Sequence, residues 1–137
     1  MSERWQGLRF LGWVLSAALL AAAPASAQKS GEPLASGPWG GEGMLLIVGA
    51  ESSSAELNCA HGQTSARVDF GDNREFRADG WIVEEGQPGG SEERKPAVFI
   101  GRLRRDVLTV TVRYGSEPKE LGPFELRKGG NARVNKC

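Results

Sequence analysis

Residues 97–114 read AVFIGRLRRDVLTVTVRY, two apolar runs separated only by Arg104, Arg105 and Asp106. A connection that short implies a tight hairpin, so the two runs are predicted to be neighbouring antiparallel strands. In the second run Leu108, Val110, Val112 and Tyr114 fall on one side, with Val107, Thr109, Thr111 and Arg113 on the other. Alternation with a period of two belongs to a strand that buries one face.

The same pattern recurs outward from this hairpin. EFRADGWIVEE (75–85) sets Phe76, Ala78, Gly80 and Ile82 against charged residues and Trp81. MLLIV (44–48) is a buried strand, and AELNC (55–59) alternates Ala55, Leu57 and Cys59 with Glu56 and Asn58. ARVDF (66–70) places Ala66, Val68 and Phe70 on one face before a turn at GDN (71–73), while FELRK (124–128) and ARVNK (132–136) complete the set. This amounts to about eight strands, and no stretch keeps a helical period for more than about two turns. Sequential short turns favour an antiparallel meander. A small chain of this kind can remove its exposed edges by closing into a barrel, with a two-sheet sandwich as the alternative. The fold class is therefore all-β. One connection is long: EEGQPGGSEERKP (84–96) is glycine-rich and charged, and loops of that length are functional or mobile.

The first 27 residues differ from the rest. Arg4 and Arg9 precede an apolar run from Phe10 to Ala23, and PASAQ supplies small residues Ala25 and Ala27 before Gln28. This is the layout of a secretory signal peptide, with an apolar run too short for a membrane span of about 20 residues. The expected organisation is a signal peptide over 1–27, a loose leader over 28–37 and a single β domain over 38–137. No cysteine lies near the cut for lipid attachment, and the arginines are separated, so no twin-arginine signal is indicated. After cleavage no membrane anchor is expected, and the destination is the periplasm or the cell exterior. Without Arg4, Arg9 and Glu3 the chain keeps 15 basic and 16 acidic residues. That balance gives no electrostatic reason to expect nucleic acid as a partner.

Export sets the redox compartment. Two cysteines in a secreted chain point to a disulfide rather than a metal pair. A Cys59–Cys137 bridge closes a long loop, worth about 4.5 kcal/mol as an upper figure in the chain-entropy treatment. Zinc requires three or four ligands at close spacing, and one histidine with two distant cysteines supplies too few.

GPWGGEGMLLIV, AELNCAHG, GWIVEEGQPGG, AVFIGRL, VLTVTV, LGPFEL and the final Cys137 resemble a group of small exported bacterial proteins of unknown function. The resemblance runs from Gly37 to the C-terminus and rests on Trp39-Gly40-Gly41, on Cys59-Ala60-His61-Gly62 and on strand order. It implies export, an all-β fold and the Cys59–Cys137 bridge, and it carries no activity. In plan, with an N-terminal tryptophan, a meander and one disulfide, the chain is also similar to lipocalin-like bacterial protease inhibitors. That likeness stays at the level of the fold.

Candidate chemistry is sparse. His61 is the single histidine; a general base needs a partner, and no G-x-S-x-G elbow is present. CAHG (59–62) is expected to form a turn, with Gly62 permitting positive φ and the His61 ring facing water. DFG (69–71) has no kinase surroundings. Glu84, Glu85, Glu92 and Glu93 lack the D-x-D-x-D-G spacing of a calcium loop and adjoin Arg94 and Lys95, as a solvated loop would. Of the two mature tryptophans, Trp39 is expected to plug a barrel end. Trp81 falls on the charged side of its strand, which makes it the leading contact for a partner or ligand, ahead of His61 and Trp39. The expectation is a protein with no catalytic residues, no metal and no cofactor that binds a protein or small molecule or serves structurally in the envelope. Protease inhibition is the alternative, and a hydrolase built on His61 is the weakest reading.

Overall fold

The structure, a computed structural model, describes residues 31–86 and 92–137. The expected signal peptide and the start of the leader lie outside the described residues. Eight strands follow one another: β1 (Gly37–Gly41), β2 (Met44–Val48), β3 (Ser53–Leu57), β4 (Ala60–Thr64), β5 (Glu75–Glu84), β6 (Lys95–Arg104), β7 (Val107–Tyr114) and β8 (Lys119–Lys128). Each pairs antiparallel with its successor, and β8 returns to β1 through Trp39↔Lys128, Gly40↔Arg127 and Gly41↔Leu126, so the sheet closes into a barrel. The sandwich alternative is thereby removed.

Alternation explains the walls. On β7, Leu108, Val110, Val112 and Tyr114 are buried as read, and on β5 the buried Phe76 and Ile82 face inward with Trp81 opposite. Met44, Leu46, Leu57, Ile82, Phe99, Leu108, Val110, Val112 and Leu126 are each essentially inaccessible and belong to one core. Burial of each such side chain contributes roughly 1.5–3 kcal/mol. The interior of the barrel is filled by its own side chains.

Two of the expected strands are replaced. ARVDF does not form a strand: Val68 and Phe70 are buried, but Ala66 is exposed, and the segment makes only the isolated bridge Pro33↔Asp69. Its apolar residues are buried because it folds against the segment before β1. Leu34 N–H donates to the Val68 carbonyl at 3.0 Å, and Phe70 N–H to that of Glu32 at 2.9 Å. ARVNK likewise reduces to one bridge, Glu42↔Arg133. In their place stand β1 and β4, whose glycines had hidden them. The described end of the leader is tied down, since Leu34 is buried at 3% exposure, and GDN forms the expected turn within a short 3-10 segment over Asp72–Arg74.

After β8 the chain doubles back along the outside. Arg133 exchanges backbone hydrogen bonds with the β1–β2 turn, accepting from Gly43 N–H at 2.8 Å and donating to the Gly41 carbonyl at 3.0 Å. Asn135 accepts from Cys59 N–H at 2.9 Å, and Cys137 forms the disulfide with Cys59.

Candidate functional site

The β3–β4 connection consists of Asn58 and Cys59 alone, with Leu57 opposite Ala60 and Cys59 in the left-handed region at φ 52°. The reversal is therefore complete before His61, which lies inside β4 and not in the expected turn. Gly62 is also a strand residue. Its lack of a side chain serves close approach rather than positive φ, because a Cβ there would stand 2.4 Å from the Trp81 carbonyl oxygen and 2.7 Å from Ile82 Cδ1. Cys59 sits in the turn and takes no place on the inner face of β3.

Register places His61 opposite Val83 and Gln63 opposite Trp81 on the outer wall of β4 and β5. His61 Nδ1 lies 2.8 Å from Glu85 Oε2, and its ring meets Trp81 edge-on at 6.0 Å between centroids. Lys136 Nζ reaches Glu85 Oε2 at 2.8 Å and Glu56 Oε2 at 2.7 Å, and donates to the Ala60 carbonyl at 3.0 Å. The Arg94 guanidinium carbon stands 4.1 Å from the Trp81 ring centroid, within cation–π range. Val83 is 3% exposed although it lies outside the core cluster. Buried apolar surface on an outer wall marks this patch as covered and organised.

Electrostatics follow from these contacts. The hydrogen bond from Lys136, opposed by burial and reinforced by His61, holds the Glu85 carboxyl below its ordinary range. Burial pulls the Lys136 ammonium down, but its bonds to Glu56 and Glu85 outweigh this and leave it raised. Nearby, the Tyr114 hydroxyl bonds Glu84. Burial first, and that carboxylate second, push Tyr114 up to about 12, while the same bond holds Glu84 low against burial, with help from Lys95 and Lys119. An open groove of about 430 Å³ borders this pair, lined by Arg94, Lys95, Pro96, Tyr114, Glu117 and Lys119.

Of the residues singled out from sequence, His61 and Trp81 come together and Cys59–Cys137 joins them at the edge. Trp39 does not: it is 4% exposed on the inner side of β1, and its indole N–H donates to the Ala35 carbonyl at 2.9 Å. Glu85 and Lys136 are the residues that sequence reasoning missed as partners of His61. Chemically the patch holds a histidine with a carboxylate. Among the described residues no hydroxyl bonds the ring, and both cysteines are consumed in the disulfide. Comparisons with protein-family models, with curated proteins and with solved structures find no match to this chain.

Proposed function

We propose that this is an exported, non-catalytic barrel that works by binding a partner on its outer wall, around Trp81. The carrying observation is that most large apolar side chains of the barrel point inward and fill it, while Trp81 is half-buried on the outer face, flanked by His61, Arg94 and Pro96. Tryptophan and arginine together on a solvated wall are the residue types that dominate binding energy at interfaces. A filled interior speaks against carriage of a lipophilic ligand inside the barrel. The disulfide is consistent with an oxidising compartment, which supports export to the periplasm or beyond. Two commitments of His61, to Glu85 and to Trp81, favour a structural and binding role over general base catalysis.

The test is site-specific photo-crosslinking in the producing cell, with a photoreactive aromatic residue at position 81 and, separately, at Ile47. Ile47 is a second outer-wall position, 45% exposed on β2. A discrete adduct from position 81 and none from position 47 is expected; no adduct from 81, or equal adducts from both, would sink the reading. An adduct with a protease, matched by stoichiometric inhibition in solution, would move the assignment to the lipocalin-like inhibitor. Mass determination of the cell-exported chain should place its first residue at Gln28.

A further inference from the structure

The Cys59–Cys137 bridge joins two parts of unequal standing. Cys59 belongs to the two-residue turn between β3 and β4, whereas Cys137 ends a segment, 129–137, in which no residue is buried and none joins the core cluster. Barrel closure is completed upstream of that segment, by the pairing of β1 with β8 and by Leu126, which is fully inaccessible. The bridge therefore fastens an outer strap to a finished barrel. It does not hold one wall to another. Cys137 is an exposed residue, Cys59 is half-buried, and neither belongs to the core cluster, so attack on the bridge does not require the core to open.

We propose that Cys59–Cys137 is a thiol–disulfide exchange site operating in the native barrel, with a dithiol as its reaction partner. One thiolate of the dithiol attacks Cys137 Sγ, a bond forms between those two sulfurs, the Cys59–Cys137 bond breaks, and Cys59 Sγ leaves as a thiolate that takes a proton from water. The second thiolate of the partner then attacks its own sulfur in the mixed disulfide and expels Cys137 as a thiolate, which is protonated in turn. The chain gains two electrons and two protons, and the partner becomes a disulfide. Exchange removes the covalent hold on the end of the strap, beside the outer wall. The Cys137 Cβ lies against Gly86, where a Cβ would approach it to 2.9 Å, and the adjacent Lys136 holds Glu85. Both contacts sit at the base of the long β5–β6 connection, so the redox state of the bridge sets whether that base is fastened.

The experiment is native-state reduction of the oxidised, purified chain by dithiothreitol, with samples alkylated at intervals and weighed, repeated in urea concentrations below the unfolding transition. Direct attack predicts an initial rate proportional to dithiothreitol and constant within about twofold across that urea range, as expected for a step that needs no global opening. A rate gated by global unfolding would instead rise roughly fivefold or more per molar urea. That rise, or no reduction until the transition is reached, would overturn the proposal. Because the initial rate is read on the oxidised chain, the test stands even if the reduced chain is less stable.

Discussion

Strands β5 to β8 are eight to ten residues long, and β1 to β4 are five each. The long half fills the barrel with Phe76, Ile82, Phe99, Leu108, Val110 and Val112, whereas the inner face of β3 and β4 offers Ser53, Ala55, Leu57, Ala60, Gly62 and Thr64. Small and polar inner residues contribute less apolar burial, and Thr64 Oγ1 spends its capacity accepting from Ser53 N–H and donating to the Ala66 carbonyl. The disulfide, the Lys136 bonds to Glu56 and to the Ala60 carbonyl, and the Asn135 bonds land on this thinner wall. Covalent fastening is placed where packing is weakest.

This contrast can be broken at several points. Phe99→Ala, in the long half, should have the largest effect, about 3–5 kcal/mol by urea unfolding, as for other large-to-small changes in a packed core. A loss below about 1 kcal/mol would mean that the long half is not held by its packing. Replacing Cys59 and Cys137 together by serine should cost roughly 2–5 kcal/mol. The local signature matters more than the total: amide hydrogen exchange should quicken in β3 and β4 while β6 and β7 keep their protection. Uniform acceleration across all strands would erase the distinction between the halves.

Tyr114→Phe probes the long half through pH. Because the folded chain holds the Tyr114 proton up to about 12, against an unfolded value of 10.0, its contribution is complete below pH 10 and drains as pH rises toward 12. The variant should lose roughly 1.5–3 kcal/mol at neutral pH, the range for a hydrogen bond to a charged group. It should also show a flatter decline of urea stability above pH 10; an identical decline would remove Tyr114 as its source. The smallest effect belongs to His61→Ala. A polar contact this close to solvent contributes under about 1 kcal/mol, so the melting temperature should move by only a few degrees.

How much of this was legible follows from the same contrast. β5, β6 and β7 announce themselves because eight to ten residues give several cycles of alternation with large apolar side chains on one side. β1 is Gly37-Pro38-Trp39-Gly40-Gly41 and β4 is Ala60-His61-Gly62-Gln63-Thr64, so neither presents a recurring apolar position: the start of β4 reads as a turn, and β1 only as a tryptophan plugging a barrel end. ARVDF mimics a strand for the opposite reason. Val68 and Phe70 are buried by a loop folded onto the barrel, and burial without pairing leaves the same mark in a sequence. The disulfide and the outward side of Trp81 were legible from cysteine count and parity. The partners of His61 were within reach as well: a bridge to Cys59 carries Lys136 to the start of β4, and the alternation that puts Trp81 outward puts Val83 and Glu85 there too. What hid them was the assignment of His61 to a turn, which removed it from the register with β5.

The barrel is filled by its own side chains, and titration with a fluorescent fatty-acid analogue probes that interior. No saturable uptake is expected, and emission from the buried Trp39 should stay unchanged, measured in a Trp81→Phe variant of residues 28–137, which also lacks Trp5 and Trp13, so that only the interior reports. One-to-one, saturable binding that quenches Trp39 would contradict a filled barrel, because the ligand would then occupy space that Met44, Leu46, Phe99 and Leu126 fill.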